Sequence, residues 1–371
     1  MICKKIAVEG FRNIAGAEVS FCDGVNLIRG KNAQGKTNLL EAIAMFSIGK
    51  SFRGAKESEF ISFDRDFCRL SLDYTDSVRD HTLSISCSKS KQRYIEKNGV
   101  RIQRISEMIG LFRSVMFFPE HLNIIKEGPA LRRNFLDVAI SQLRPGYLRS
   151  LQRYNHILAQ RNKLIKAAPF DRKSFDSTVE FWSFQLANEA SYITTARLSY
   201  LSAAEAETKK CFDEMMGGRE TPSLSYQYSF KGAADAAPGR EQLTEAYFSQ
   251  LMSNHDREIA AGATLWGTHK DDIEICLNSE NARLFCSQGQ QRSLALSLKL
   301  AESAISARDS GELPVLLLDD VFSDLDGERR EYLTERMKKG QVIITSCGNS
   351  DFVSGDVKVI RTEKGTYTEE Q

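Results

Sequence analysis

The run Gly30-Lys31-Asn32-Ala33-Gln34-Gly35-Lys36-Thr37 fits the spacing G-x-x-x-x-G-K-[ST]. In that spacing consecutive backbone N–H groups close around phosphate oxygens, a lysine reaches the outer phosphates and a hydroxyl binds Mg²⁺. Lys36 and Thr37 hold those last two positions. A second candidate is Asp319-Asp320, directly after Val315-Leu316-Leu317-Leu318. A carboxylate at the exit of a buried parallel strand stands at the sheet edge where ligands bind. Asp319 would hold Mg²⁺ through its water shell, and Asp320 would orient or deprotonate an attacking water. Adjacent acids also close ordinary strand-end turns. The third candidate is Ser287-Gln288-Gly289-Gln290-Gln291. Alone it is a glycine turn whose serine caps a helix. Placed roughly 30 residues before the acidic strand end, it reads as an anion-binding helix N-terminus facing the γ-phosphate of a nucleotide held by a partner.

These groups act only on the right elements. Val25 and Leu27 lead as a strand into Gly30, and from Thr37 the residues Leu39, Ile43 and Phe46 recur at helical spacing with Leu40 beside them. The loop is therefore expected between a strand and a helix whose positive dipole end faces the phosphates. Leu70, Leu72 and Tyr74 alternate, as do His81, Leu83 and Ile85, and Lys97-Asn98-Gly99-Val100 supplies a tight turn. That pattern predicts an antiparallel sheet layered on the nucleotide core.

From about residue 116 the spacing becomes helical. Tyr147, Leu151, Tyr154 and Leu158 mark one amphipathic helix, and Phe175, Val179, Trp182, Leu186, Ala190 and Ile193 a longer one. The stretch is too short and irregular for an extended coiled coil, so a lobe of two or three packed helices is expected. Leu224, Tyr226, Tyr228 and Phe230 alternate like a half-buried strand between the breakers Gly217-Gly218 and Gly232 to Gly239. Ile273, Ile275 and Leu277 alternate towards the Ser287 turn, and Leu294, Leu298, Ala301 and Ile305 mark the helix after it. Val315 to Leu318, Val342-Ile343-Ile344 and Val357 to Ile360 read as strands buried on both faces. The expected division is a head in two halves, residues 1–115 and 265–371, with a mostly helical lobe, 116–264, inserted between them.

A chain of 371 residues has room for two domains or for one large domain with an insertion. Its 50 basic and 49 acidic side chains leave a net charge of +1, so any nucleic-acid surface must come from local segregation of charge. The N-terminus alternates like a strand and no 18 consecutive residues are apolar, which points to a cytoplasmic protein with no membrane partner. The eight cysteines form no C-x-x-C pair and the five histidines are dispersed, so reduced thiols are expected and no metal beyond the one a nucleotide brings.

Beyond these motifs the chain resembles the RecF family of bacterial recombination mediators, relatives of the SMC-type ATPases that lack the long coiled coil. The resemblance is carried by Gly10-Phe11-Arg12-Asn13, Gly49-Lys50-Ser51-Phe52-Arg53, Phe118-Pro119-Glu120-His121-Leu122, Gly128-Pro129 and Arg132-Arg133-Asn134-Phe135-Leu136-Asp137. Gln160-Arg161-Asn162, Gly267-Thr268-His269-Lys270-Asp271-Asp272 and Ser287-Gln288-Gly289-Gln290-Gln291-Arg292 continue it. Thr268 and Lys270 depart from the family's Pro-His-Arg, and His121 from its usual acid.

The resemblance implies an α/β fold: an ABC-type P-loop ATPase head, with mixed sheet layers around the phosphate-loop helix and an inserted helical lobe. Gly30 through Thr37, with Arg12 and Asn13, would bind ATP, and Thr37 and Asp319 its Mg²⁺. Ser287, Gln288, Gly289 and Gln290 would form the signature loop acting on the second subunit's ATP. Asp324, in Ser323-Asp324-Leu325-Asp326, would belong to the D-loop, and Thr345 or Ser346 would stand at the switch-histidine position. The Q-loop falls near Phe118–Leu122, with no glutamine assigned. Lys36 and Asp320 would be the catalytic pair. Asp320 is one methylene shorter than the general ABC glutamate, which implies slow hydrolysis.

The implied activity is ATP-driven homodimerisation that clamps DNA at single-strand gaps and is released by hydrolysis. RecO and RecR would be partners, and RecA loading with SOS induction the output. Arg132, Arg133, Arg144, Arg149, Arg153, Arg161, Lys163 and Lys166 are the candidate DNA contacts, although each also suits a solvated helical face. The alternative is an SMC-like or other ABC-type ATPase acting on DNA outside this pathway. A nuclease fusion is not expected, because the chain ends about 50 residues after Asp320. A transporter ATPase fits the head motifs but not the lobe.

Overall fold

The computed structural model describes residues 1–54, 59–90, 93–230, 238–347 and 357–370. The chain divides into two compact units. The first comprises Met1–Leu122, Lys210–Arg219 and Arg292–Gln371; the second comprises Asn123–Lys209 and Glu220–Gln291.

Alternating apolar and polar residues build the first sheet of the first unit. Its strands are β1 (Ile2–Phe11), β2 (Ile14–Ser20), β4 (Phe67–Thr75), β5 (Asp80–Ser88), β6 (Arg93–Lys97) and β7 (Val100–Ile102), in the order β2-β1-β4-β5-β6-β7 and antiparallel throughout. Leu70 lies opposite Ile85 and Leu72 opposite Leu83, so one buried stripe crosses the strands.

The second sheet holds the continuous apolar runs. Its strands are β3 (Val25–Arg29), β8 (Ser114–Phe117), β12 (Val315–Asp319), β13 (Val342–Ser346), β14 (Val357–Glu363) and β15 (Thr366–Glu370), in the order β15-β14-β3-β13-β12-β8. Every pairing from β14 to β8 is parallel, and β15 returns antiparallel. Parallel strands covered on both faces need apolar residues at successive positions, and Val342, Ile343 and Ile344 are all fully buried. Ile344 lies opposite both Leu27 and Leu318, and Leu318 also opposite Phe117. This register sets Thr345 beside Asp319 on one side and Ile28 on the other, which brings the ends of β3, β12 and β13 to one sheet edge.

Among the described residues, four helices belong wholly or mainly to this unit: α1 (Lys36–Ile48), α2 (Ile105–Met108), α10 (Gln288–Ser310) and α11 (Gly327–Met337). Helix α1 is buried around its whole circumference from Leu39 to Ile48, so apolar residues lie on all its sides rather than on one stripe, with Glu41 and Ser47 buried among them. Leu296 and Leu300 of α10, Leu333 and Met337 of α11, and Leu27, Leu318 and Ile344 of the sheet share one core.

The second unit holds α3 (Asn123–Lys126), α4 (Pro129–Leu143), α5 (Pro145–Ala167), the Arg172–Lys209 part of α6 (Arg172–Met216), α7 (Arg240–Met252), α8 (His255–Ala261) and α9 (Ala282–Phe285). Its small sheet, in the order β11-β10-β9, comprises β9 (Pro222–Gln227), β10 (Asp272–Leu277) and β11 (Glu280–Asn281). Helix α6 is 45 residues long, about 68 Å at 1.5 Å per residue. It continues well beyond Ile193, where the apolar series stops. Beyond that point the buried face includes Arg197 and Thr208 along with Tyr200, Ala204, Phe212 and Met215, so a search for apolar periodicity loses it.

Three boundaries differ from expectation. β8 pairs with β12, so the first unit runs on to Leu122 instead of ending at 115. β10 pairs with β9, which places residues 265–291 in the second unit instead of the C-terminal half of the head. Cys211 and Met215 pack into the core of the first unit, which takes Lys210–Arg219 with them. The expected strand through Phe230 ends at Gln227; Tyr228 and Phe230 lie beyond it, and Phe230 packs edge-on against Tyr247. The breaker at Gly232 lies outside the described residues, and the expected last strand is observed as β14.

Candidate nucleotide site

β3 ends at Arg29 and α1 begins at Lys36, so the glycine motif is the strand-to-helix loop its spacing requires. Ala33 and Gly35 take left-handed backbone, with φ of 63° and 107°. A Cβ on Gly30 would lie 2.5 Å from the Thr362 carbonyl oxygen, and one on Gly35 would lie 2.9 Å from the Tyr367 hydroxyl. Both glycines are therefore required by close approach of the β14–β15 hairpin. Thr362 Oγ1 donates to the Gln34 carbonyl (3.2 Å), as does Gly365 N–H (2.9 Å), and Tyr367 Oη donates to the Gly35 carbonyl (3.0 Å). The hairpin thus fixes the outer side of the loop. Nothing in the sequence of residues 357–370 marks them as neighbours of residue 30.

The Lys36 ammonium is buried and donates to the carbonyls of Gly30 (2.5 Å) and Lys31 (2.9 Å). Thr37 Oγ1 donates to Asp319 Oδ1 (2.9 Å), and Thr345 Oγ1 donates to the same oxygen (2.6 Å). Thr345 Oγ1 in turn accepts from Asp320 N–H (3.0 Å). Asp320 itself sits in left-handed backbone, φ 50°, and opens the short turn Val321–Asp324. Cys347 Sγ lies 2.8 Å from Asn32 Oδ1 and 3.8 Å from Asp320 Oδ2, joining the loop to the second acid.

Asn32 to Thr37, Asp319, Asp320, Thr345 and Cys347 line a cavity of about 660 Å³, shared with Asn13, Asn38, Phe52, Arg53, Pro119 and Glu120; Gly30 and Lys31, also expected as ATP contacts, line a neighbouring groove instead. Asn13 Nδ2 donates to the Ala33 carbonyl (3.2 Å), and Asn38 Nδ2 donates to Asn13 Oδ1 (2.7 Å). Phe52 stacks on Phe118, with ring centroids 4.5 Å apart, and Phe118 stacks on His121. Pro119 and Glu120 are where the Q-loop was expected. Arg12, expected as an ATP contact, is instead bound to the buried carboxylate of Glu41 through Nε (3.1 Å) and Nη2 (2.8 Å). It does not line the cavity; Asn13, its neighbour, does.

The donor set fits a magnesium nucleotide. The first N–H groups of a helix lack intrahelical partners and carry its positive end, and Gly35 to Asn38 line the cavity where α1 begins. A hydroxyl and a carboxylate already in contact, Thr37 and Asp319, are hard oxygen donors of the kind Mg²⁺ takes.

The Ser287 turn lies in the second unit. Ser287 N–H donates to Gln290 Oε1 (2.7 Å) and Gln290 N–H donates to Ser287 Oγ (3.3 Å), a reciprocal cap at the start of α10. Gln290 Nε2 also donates to Glu220, and Gln291 Nε2 to the Ala282 carbonyl. Ser287 and Gln288 are exposed and Gly289 half-buried. The side chain of Asp324 lies outside the described residues. Ser346 is the last residue of β13 and its carbonyl accepts from Gly30 N–H (3.3 Å), so of the two switch candidates it is Thr345 whose side chain meets Asp319.

Two expected DNA contacts are corrected by burial. Arg161 is fully buried against Glu258 (2.6 Å), with Ser183 and Thr264 accepting its remaining N–H groups. Arg132 makes a two-bond contact with Asp272 and donates to the carbonyls of Ile124 and Glu127. Arg133 donates to the Asp271 carbonyl. Arg144, Arg149, Arg153, Lys163 and Lys166 are exposed, with Arg153 paired to Glu189.

The block Gly267–Asp272 is likewise structural. The Asp271 carboxylate accepts from Tyr226, Tyr247 and Ser229 N–H, and burial pushes its pKa up. His269 Nδ1 accepts from Tyr154 Oη (2.6 Å) while its Nε2–H donates to the Thr264 carbonyl (3.2 Å), a neutral ring. Burial first, then the nearby cations Lys270, Arg133 and Arg161, lowers its pKa to about 4.

With this geometry in place, comparison with known proteins is consistent along the whole chain. The RecF/RecN/SMC N terminal domain family matches residues 2–368. The DNA replication and repair protein RecF of Thermoanaerobacter sp. is 38% identical over 358 residues, 96% of each chain. That of Acetivibrio thermocellus is 37% identical over 371 residues, covering 99% of this chain and 100% of its own. A solved structure of the recombination mediator protein RecF-ATP in the RecFOR pathway matches with a TM-score of 0.93 at 34% identity, covering 100% of this chain and 97% of that one. An Smc head bound to the C-winged helix domain of ScpA, at 14% identity and a TM-score of 0.56 over 100% of this chain and 97% of its own, shares the fold alone. The chain belongs to the RecF family of DNA replication and repair proteins.

Proposed function

We propose that this chain is an ATP-dependent DNA-binding protein of recombinational repair and replication-fork maintenance, in which slow ATP hydrolysis times the release of DNA. The carrying observation is the bond between Thr37 and Asp319, two residues 282 apart in sequence, in a chain whose relatives are DNA replication and repair proteins. Lys36 would set its ammonium against the outer phosphates, exchanging carbonyl for phosphate oxygens. Thr37 and Asp319 would hold Mg²⁺, which when bound neutralises charge on the β- and γ-phosphate oxygens. Asp320 would accept a proton from the attacking water. Its arm is short and its backbone N–H is held by Thr345, which keeps that base from following the water closely.

In this reading Ser287 to Gln290 complete the site of a second copy of the chain, since a helix start whose Ser287 and Gln288 are exposed, with its positive dipole end, suits an incoming phosphate. The ATP-bound homodimer would close on duplex DNA beside a single-strand gap, in the cytoplasm. RecO and RecR would be its partners, with RecA loading and SOS induction downstream. Size-exclusion with light scattering, with and without ATP and gapped DNA, tests this. The expected result is a dimer only with ATP, lost in Ser287→Arg while ATP affinity is retained. A Ser287→Arg protein that still dimerises would refute the sandwich.

A further inference from the structure

The phosphate loop has a second face. Beside the nucleotide cavity, and sharing Gln34 and Cys347 with it, a groove of about 620 Å³ runs between the loop and the β14–β15 hairpin. Its charged lining consists of Arg29, Lys31, Arg361, Lys364, Glu363 and Glu370. Arg361 lies directly opposite Arg29 across the β14–β3 pairing. Two like charges facing each other across strands are unfavourable unless offset, and Glu370 offsets only one of them, by pairing with Arg29 at 2.5 Å. Lys31, Arg361 and Lys364 are exposed, and no ion pair holds any of the three among the described residues. Glu363 is the one remaining acid, so the groove carries an excess of two positive charges in a chain whose net charge is +1.

The cations are also presented on a fixed surface. Thr362 Oγ1, Lys364 N–H and Gly365 N–H all bond to Gln34 of the phosphate loop, the last two at 2.6 and 2.9 Å. The three unpaired cations come from separate segments: the loop, the strand and the hairpin turn. That spread suits a polymer of phosphates better than a single anion, because a phosphodiester backbone presents charges at successive positions.

We infer that this groove is a docking surface for the DNA phosphodiester backbone, held by Lys31, Arg361 and Lys364, beside the nucleotide cavity along the phosphate loop. The inference rests on the DNA-binding function proposed above. The test is Arg361→Gln with Lys364→Gln, which changes two exposed side chains and keeps the backbone N–H groups. Fluorescence anisotropy would follow a gapped duplex in the presence of ATP from 0.05 to 0.3 M salt. Each lost phosphate contact removes about 0.9 from the slope of log K against log salt, so the slope should fall by about 1.8 and affinity at 0.1 M by about 60-fold. Glu363→Gln should bind more tightly than wild type. ATP affinity without DNA should be as in wild type in both variants. Wild-type DNA affinity and slope in the double variant would overturn the docking surface and leave the proposed function standing. A loss confined to ATP affinity would also overturn it, by giving these cations to the nucleotide. Failure of the wild-type protein itself to bind DNA would instead overturn the proposed function on which the inference rests.

Discussion

Thr345 is the residue on which the two acids of the nucleotide site depend, and Thr345→Val is the substitution that exposes it. Valine keeps the volume and β-branching that suit β13 but removes a hydroxyl that donates to Asp319 Oδ1 at 2.6 Å and accepts from Asp320 N–H at 3.0 Å. Asp319 also accepts from Thr37, yet in the proposed function Thr37 would turn its hydroxyl to Mg²⁺. Once it does, Thr345 is the remaining side chain that fixes Asp319. A hydrogen bond to a charged group is worth about 1.5–3 kcal/mol, and a backbone N–H left unsatisfied in a buried position about 1–3 kcal/mol. The two losses share one atom and do not add fully, so a transition-state loss of about 2 kcal/mol is the reasoned floor. That corresponds to roughly 30-fold in kcat/KM. The assay is steady-state ATP turnover with Mg²⁺ titrated at fixed ATP, alongside thermal unfolding to show that the fold is kept. Thr345→Ser, which retains the hydroxyl, should restore most of the activity. Turnover of Thr345→Val within twofold of wild type, at an unchanged Mg²⁺ dependence, would refute the placement of Asp319 and Asp320 by this hydroxyl.

Asp320→Asn should bind ATP normally but hydrolyse it about 10²- to 10⁴-fold more slowly, the usual weight of a general base; asparagine tolerates the left-handed backbone at φ 50° as well as aspartate does. Single-turnover kinetics at wild-type rates would move the base to another residue. Stability should fall on acidification from pH 7 to pH 5 by about 2 kcal/mol through His269, because an unfolded histidine titrates near 6.5 while the folded ring stays neutral down to about 4. The unfolded chain binds the extra proton in that window, so the loss begins as pH drops below 6.5 and is complete below about 4. Urea unfolding at both pH values should show the difference shrinking in His269→Gln. Glu258→Gln should destabilise the second unit by about 3–5 kcal/mol, since it leaves the buried Arg161 guanidinium without its counter-charge, while ATP affinity, measured on the folded protein, stays as in wild type.

Much of the site could be read from spacing, because its parts are local. A phosphate loop is a strand end, eight residues and a helix start, and Val25–Arg29 and Lys36–Ile48 supply the two flanks. The buried strands carrying Leu317 and Ile343 could be read for the same reason: burial on both faces leaves no room for polar residues in either. What could not be read depends on pairing. Asp272–Leu277 alternates in the same way whether it joins the head sheet or pairs with Pro222–Gln227, and only the partner strand decides its unit. Arg161 looks like a surface cation in sequence, because Glu258 lies 97 positions away. Arg12 fits a ligand contact as well as it fits the Glu41 carboxylate that holds it. Charged residues are the least legible class: their role is set by a counter-charge whose sequence distance is unrestricted.

The glycines of the phosphate loop show how far that limit reaches into a motif. Their spacing is read as room for phosphate oxygens to approach the backbone. In this structure Gly30 and Gly35 are also required by protein atoms, the Thr362 carbonyl and the Tyr367 hydroxyl, which a Cβ at either position would meet at under 3 Å. The loop therefore answers to two surfaces, the nucleotide cavity on one side and the β14–β15 hairpin on the other. A hairpin that bonds the carbonyls of Gln34 and Gly35 fixes the loop's shape from outside, and with it the point from which Lys36 and Thr37 emerge. A shift of the hairpin breaks its hydrogen bonds to Gln34 and Gly35 unless the phosphate loop moves with it. The motif encodes the chemistry of the site, and the shape of the site is completed by a segment more than 300 residues downstream.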